Sequence, residues 1–140
     1  MKNKRLQAIL DCLEGPCILA DIGTDHGYLP CEAIRINKAQ FCYACDIAEE
    51  PLKRAEKTIQ NAHMEDRVKT ILCPGLTDVP KDADAVVIAG MGWHTVKMIL
   101  ENDFERLSQF SQIVIQVNRE VESLIKLRLS VYSFNTFIVL

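Results

Sequence analysis

The sequence predicts an α/β fold with a doubly wound, mostly parallel sheet, and three observations carry that expectation. Short apolar runs of strand length alternate with segments of helical period along the whole chain. The first two of these runs each close on a carboxylate, Asp21 and Asp46, and the first is followed at once by a glycine loop. The chain has 140 residues, 49% of them hydrophobic, enough for one domain with a real core.

Taken in order, Leu6, Ile9, Leu10 and Leu13 repeat at i, i+3, i+4 and i+7, so the first dozen residues read as an amphipathic helix, stopped by Gly15-Pro16. Cys17 to Asp21 is a buried strand by length, and Gly23 to Gly27 is a tight loop. The next helix tolerates Pro30 in its first turn and carries Leu29, Ala33 and Ile36 on one stripe. Gln40 to Asp46 is the second strand. Glu49 to His63 is a helix with acids and Pro51 in its first turn and an apolar face of Leu52, Ala55, Ile59 and Ala62. Arg67 to Leu72 is a third strand. Asp84 to Ala89 is a fourth, apolar enough to be covered on both faces. Gly90-Met91-Gly92 is read as the turn into a helix through Val96, Ile99 and Leu100. Ser111 to Val117 is a fifth strand, Arg119 to about Leu129 a last helix, and Val131 to Leu140 a strand-like tail. Strands alternating with helices of these lengths build βαβ units and a Rossmann-like parallel sheet.

The formal net charge is −3, which argues against tight, sequence-independent nucleic-acid binding by this chain alone. The polar start of the chain does not resemble a signal peptide, and no apolar run approaches the roughly 20 residues that span a bilayer. A cytoplasmic protein with no membrane partner is expected. Of six cysteines, only Cys42 and Cys45 form a C-x-x-C, and they lie inside a strand. An offset of three sends them to opposite faces, so reduced core thiols and no metal are expected.

In such sheets ligands sit beyond the carboxyl ends of the strands, at the switch point. Here that edge holds the loop Gly23-Thr24-Asp25-His26-Gly27, with Asp46 placed to accept ribose hydroxyls. Both features fit any adenosine cofactor, and charge discriminates among them. A dinucleotide loop wants glycine where this chain has Asp25, and a carboxylate there would oppose a pyrophosphate by on the order of a few kcal/mol at an effective dielectric of about 20. S-adenosylmethionine (SAM) reverses the sign, carrying a sulfonium and an ammonium and no phosphate. Asp21, Asp25 and Asp46 around one pocket favour it. Blander readings stand beside this one: His26 as a cap for the following helix, Trp93 as core packing on the Val96/Leu100 stripe, and Lys53, Arg54 and Lys57 as a solvated helix face.

Arg5-Leu6, then ADIGTDHGYLP (Ala20 to Pro30), ACDIAEEPLKRAEKTI (Ala44 to Ile59) and VVIAGMG (Val86 to Gly92), in that order, resemble the bacterial tRNA (adenine-22-N1)-methyltransferases, with the likeness running to about Glu122. The resemblance implies a class I methyltransferase fold, SAM as cofactor and tRNA as substrate. Carried over by motif, Gly23, Thr24, Asp25, His26 and Gly27 would surround the methionine part of SAM. Asp46 would hold the ribose, Ile47 would lie against adenine, Gly75, Ala89, Gly90 and Met91 would complete the pocket, and Arg5 would reach the cofactor carboxylate. Asp25 and Asn118 are the candidates for accepting charge at the reacting base.

The chain departs from the family pattern at Pro74, Trp93 and Val117, and at its end. The family continues into further strands and a helical C-terminal domain, so the expectation is one SAM-binding domain with incomplete C-terminal strands and an exposed sheet edge open to self-association. Three functional readings stay open: SAM-dependent methyl transfer to N1 of an adenine in tRNA, a non-catalytic SAM-binding remnant, or a methyltransferase acting on a small molecule or protein.

Overall fold

A computed structural model describes residues 3–117 and 136–140. Helix α1 (Lys4–Cys12) begins where Asn3 caps it, its Oδ1 accepting from the Arg5 and Leu6 amides at 3.0 and 3.3 Å. Strand β1 (Cys17–Ile22), α2 (Tyr28–Arg35), β2 (Ala39–Asp46), α3 (Glu49–Asn61) and β3 (Val68–Leu72) follow within a residue or two of the expected limits. Glu49 and Glu50 occupy the first turn of α3, where the helix dipole favours negative charge. Strand β4 (Ala85–Met91), α4 (Trp93–Asn102), α5 (Phe104–Leu107), β5 (Gln112–Val117) and β6 (Thr136–Val139) complete the described elements.

The six strands form one sheet in the order β3-β2-β1-β4-β5-β6, and each neighbouring pair is parallel. Alternation sorts the strand side chains between two cores. Leu19, Cys42, Ala44, Ala85, Val87 and Val114 pack with Ile9 and Leu10 of α1, Leu29, Ala33 and Ile34 of α2, and Ile59 of α3. Ala20, Ile22, Tyr43, Cys45, Val86, Ile88, Ile113 and Ile115 pack with Val96 and Leu100 of α4 and Leu107 of α5. Cys42 and Cys45 therefore lie on opposite faces, and all six cysteines are free. Burial pushes the Cys17 thiol up to about 11 and raises that of Cys42 as well, so both stay protonated.

One expectation needs correction, one helix went unread, and the tail pairs as a strand. Gly90-Met91 is not the turn into α4: β4 runs through Met91, and its register with β5 shifts between Ile88 and Met91, so Gly90 sits in an irregularity with φ 75°. Helix α5 went unread because four residues are too few to show a period. The strand-like tail expected over Val131 to Leu140 supplies β6, whose Thr136 to Val139 pair in parallel with Gln112 to Ile115, leaving β3 and β6 outermost among the described strands. The helix expected over residues 119–129 lies outside the described residues.

Candidate functional site

Strand order reverses between β1 and β4, and both run parallel, so their carboxyl ends diverge into a crevice. Strand alternation places Asp21, Asp46 and Ala89 on the face covered by α1, α2 and α3. The amino ends of those helices and the β1–α2 loop wall a cleft of about 930 Å³. Its lining includes Asn3, Arg5, Asp21, Gly23, Thr24, Asp25, His26, Tyr28, Asp46, Ile47, Ala89, Gly90, Met91 and Thr95.

The loop backbone is tied to the neighbouring strand. The Gly23 and Thr24 amides both donate to the Cys45 carbonyl at 2.9 Å, and Gly27 N–H closes the turn on Thr24 O at 3.0 Å. Gly23 and Gly27 take φ of 79° and 73°, conformations open to glycine, and Asp25 also lies in the left-handed region at 52°. Asp46 braces the arrangement from β2: its Oδ1 accepts from Ala48 N–H at 3.2 Å and its Oδ2 from Asp25 N–H at 3.4 Å. On the β4 side, Gln116 accepts from Gly90 N–H at 3.0 Å. The Arg5 guanidinium lies so close to Gly90 that a Cβ there would sit 3.6 Å from Nη1.

Asp21 is 3% exposed. Burial pushes its carboxyl up to about 7, and the nearby Asp46 charge adds to the rise, while the Thr24 hydroxyl and Arg5 oppose it. Although Thr24 is near enough to temper that shift, its buried Oγ1 makes no hydrogen bond of good geometry with any described group. The floor of the cleft therefore holds an under-compensated carboxyl and an unsatisfied hydroxyl, both of which a ligand ammonium or other donor would satisfy. Higher on the wall, Asp25 is 60% exposed and pairs with Arg54 Nη2 of α3 at 2.8 Å, while His26 Nε2 stands 3.9 Å from its other oxygen. Ile47, 74% exposed beside Asp46, offers a flat apolar surface.

Ten of the expected cofactor positions meet on this one cleft: Arg5, Gly23, Thr24, Asp25, His26, Asp46, Ile47, Ala89, Gly90 and Met91. Two do not. Gly27 is the N-cap of α2 and turns its Cα toward Ala55 of α3, where a Cβ would approach to 3.0 Å. Gly75 is not among the residues that line the cleft; a Cβ there would meet Asp103 and Ile99, and the Asp103 carboxylate accepts from Leu76 N–H and Thr77 Oγ1. Asn118 lies outside the described residues. His26 does not cap α2; it stacks on Tyr28 with ring centroids 5.2 Å apart and planes 11° from parallel. Trp93 packs on the α4-side core and is not part of the cleft wall. Arg54 is exposed, as a solvated helix face implies, and also pairs with Asp25 across the loop. Only its place at the start of α3, next to the strand-end acids, could have signalled this; helical spacing put it with Lys53 and Lys57.

Among the described residues no cluster of three or more His, Cys, Asp or Glu could hold a metal ion, and no helix is long and apolar enough to cross a membrane. A sequence profile of the methyltransferase domain matches residues 2–136. This chain belongs to the methyltransferase-domain family.

Similarity to individual proteins is narrower. Over 117 residues the domain is 32% identical to a tRNA (adenine(22)-N(1))-methyltransferase of Bacillus subtilis (strain 168), covering 83% of this chain and 49% of the relative. The domain thus spans about half the length of that curated relative. The structure of TrmK from M. capricolum with S-adenosyl-homocysteine superposes at a TM-score of 0.82 with 34% identity, over 93% of this chain and 58% of the other. Sp1610 of Streptococcus pneumoniae in complex with S-adenosyl-L-methionine gives 0.83 at 27% identity, over 89% and 59%.

Proposed function

We propose that these residues form a single SAM-binding domain that transfers a methyl group to N1 of an adenine in tRNA. The observation that carries the cofactor reading is the meeting of Asp21, Asp25 and Asp46 on one cleft, with Asp21 buried beyond what its own neighbours compensate. A cationic ligand is the partner that makes such a carboxyl stable in its ionised form. Asp21 and Thr24 would receive the ammonium end, Arg5 the carboxylate, Asp46 the ribose hydroxyls and Ile47 the adenine face.

When bound, SAM supplies an electrophilic methyl group on a positively charged sulfur. The chain's own residues then have to hold and orient. Adenine N1 carries a lone pair at neutral pH, so no strong base is needed before attack, and positioning within about 3–3.5 Å supplies most of the effect. Positive charge would pass to the base as the bond forms, and Asp25, which lines the cleft, would accept a hydrogen bond from it; Asn118 is the second candidate for that role. The choice of tRNA as acceptor rests on the similarity to the B. subtilis enzyme.

The Arg54–Asp25 ion pair favours one alternative, a domain that binds SAM but does not transfer, because the carboxylate assigned to the acceptor is already engaged. One assay decides: incubate the chain with methyl-labelled SAM and unmodified bacterial tRNA, then map the modified nucleotide. Label at adenine N1 supports transfer. SAM binding without label supports the alternative, and turnover only on a protein or small molecule refutes the tRNA assignment.

A further inference from the structure

We infer that the stacked His26–Tyr28 pair is the platform that holds the acceptor purine, an inference that rests on the proposed function and names the subsite it needs. Both rings line the cleft, yet neither is buried: Tyr28 is 47% exposed and the His26 side chain 44%. A large aromatic ring left half open at the first residue of a helix gains little for the core. Its near-parallel stack on His26 makes a pair of aromatic rings that both line the cleft and stay open to a ligand. Purines stack on such faces without regard to hydrogen-bond pattern, and a flipped or single-stranded base recovers there part of the stacking it gave up.

Position in the fold separates this surface from the cofactor's adenine. The ribose-accepting carboxylate and the exposed Ile47 stand at the end of β2, on one side of the glycine loop. Tyr28 opens α2 at the far end of that loop in the chain, and it lines the cleft together with Asn3 and Arg5. The β4 end, Ala89 to Met91, lines the same cleft. On this assignment a base stacked on Tyr28 and the cofactor's adenosine, held from the end of β2, use opposite ends of the glycine loop.

The test uses 2-aminopurine riboside as probe and the full chain saturated with S-adenosylhomocysteine. Stacking should quench the probe's fluorescence with the wild type, leave the quench intact in Tyr28→Phe, and lower probe affinity in Tyr28→Ala by roughly tenfold to a hundredfold. S-adenosylhomocysteine affinity should stay within about twofold in both variants, which a merely misfolded protein could not satisfy. The inference is overturned if the wild type gives no quench, if Tyr28→Ala quenches equally, or if S-adenosylhomocysteine displaces the probe, since the platform would then serve the cofactor's own adenine. Methylation of tRNA is scored separately: its absence together with a Tyr28-dependent quench refutes the tRNA reading and leaves the platform standing.

Discussion

Replacing Asp21 with Asn should make the free protein more stable and the ligand-binding site weaker, with both effects growing as pH rises. Burial holds the Asp21 carboxyl near 7 in the folded chain against an ordinary value of 3.8. The folded state therefore binds a proton that the unfolded state has released between about pH 4 and pH 7, and stability falls through that window. Below it neither state is charged and Asp21 costs nothing; above it the full penalty remains. A rise of about three units at 1.36 kcal/mol each corresponds to on the order of 4 kcal/mol. Urea unfolding of wild type and Asp21→Asn across this range should give a stability difference that is nearly constant below pH 4 and then climbs in favour of Asn, levelling off above about pH 7. Binding should run the other way. SAM draws Asp21 into its ionised form, so wild-type affinity should rise by up to tenfold per pH unit below pH 7 with proton release on binding, while the Asn variant shows neither. A stability difference that does not move with pH, or that moves in favour of Asp, would refute the reasoning.

Three further outcomes are expected. Gly27→Ala should lose at least about 1–2 kcal/mol in urea unfolding, because φ is 73° and the added Cβ meets Ala55 at 3.0 Å, whereas Gly92→Ala, with nothing within 4 Å and φ −73°, should unfold like the wild type. Leu10→Ala, at a fully buried position between α1 and the sheet, should cost about 2–5 kcal/mol in the same measurement. Arg54→Gln should change stability by less than about 1 kcal/mol, since both partners of its ion pair are well exposed, yet titration calorimetry should show tighter SAM binding once the cation facing Asp25 is gone.

Most of the sheet was legible because buried parallel strands announce themselves as apolar runs and the helices between them keep a 3.6-residue stripe. The strand-end acids were legible for a different reason: Asp21 and Asp46 end runs of apolar residues, where a carboxylate stands out against the pattern. What the sequence hid was contact between elements. Nothing in spacing says that Arg54 reaches across to Asp25, that His26 stacks on Tyr28 instead of capping α2, or that Gly75 turns to Asp103. Each depends on how a loop is folded against a helix from another part of the chain. The continuation of β4 through Gly90 and Met91 was masked because glycine reads locally as a turn, while the pairing with β5 that keeps it a strand is long-range.

The measurement that bears most directly on the cleft is a calorimetric titration of the chain with SAM and, separately, with NAD at a pH above 7. Saturable SAM binding, weakened by Asp46→Ala and by Asp21→Asn, with no heat from NAD, is the expected result. Tight NAD binding alongside indifference to SAM would mean that the carboxylates at the strand ends do not select a cationic ligand.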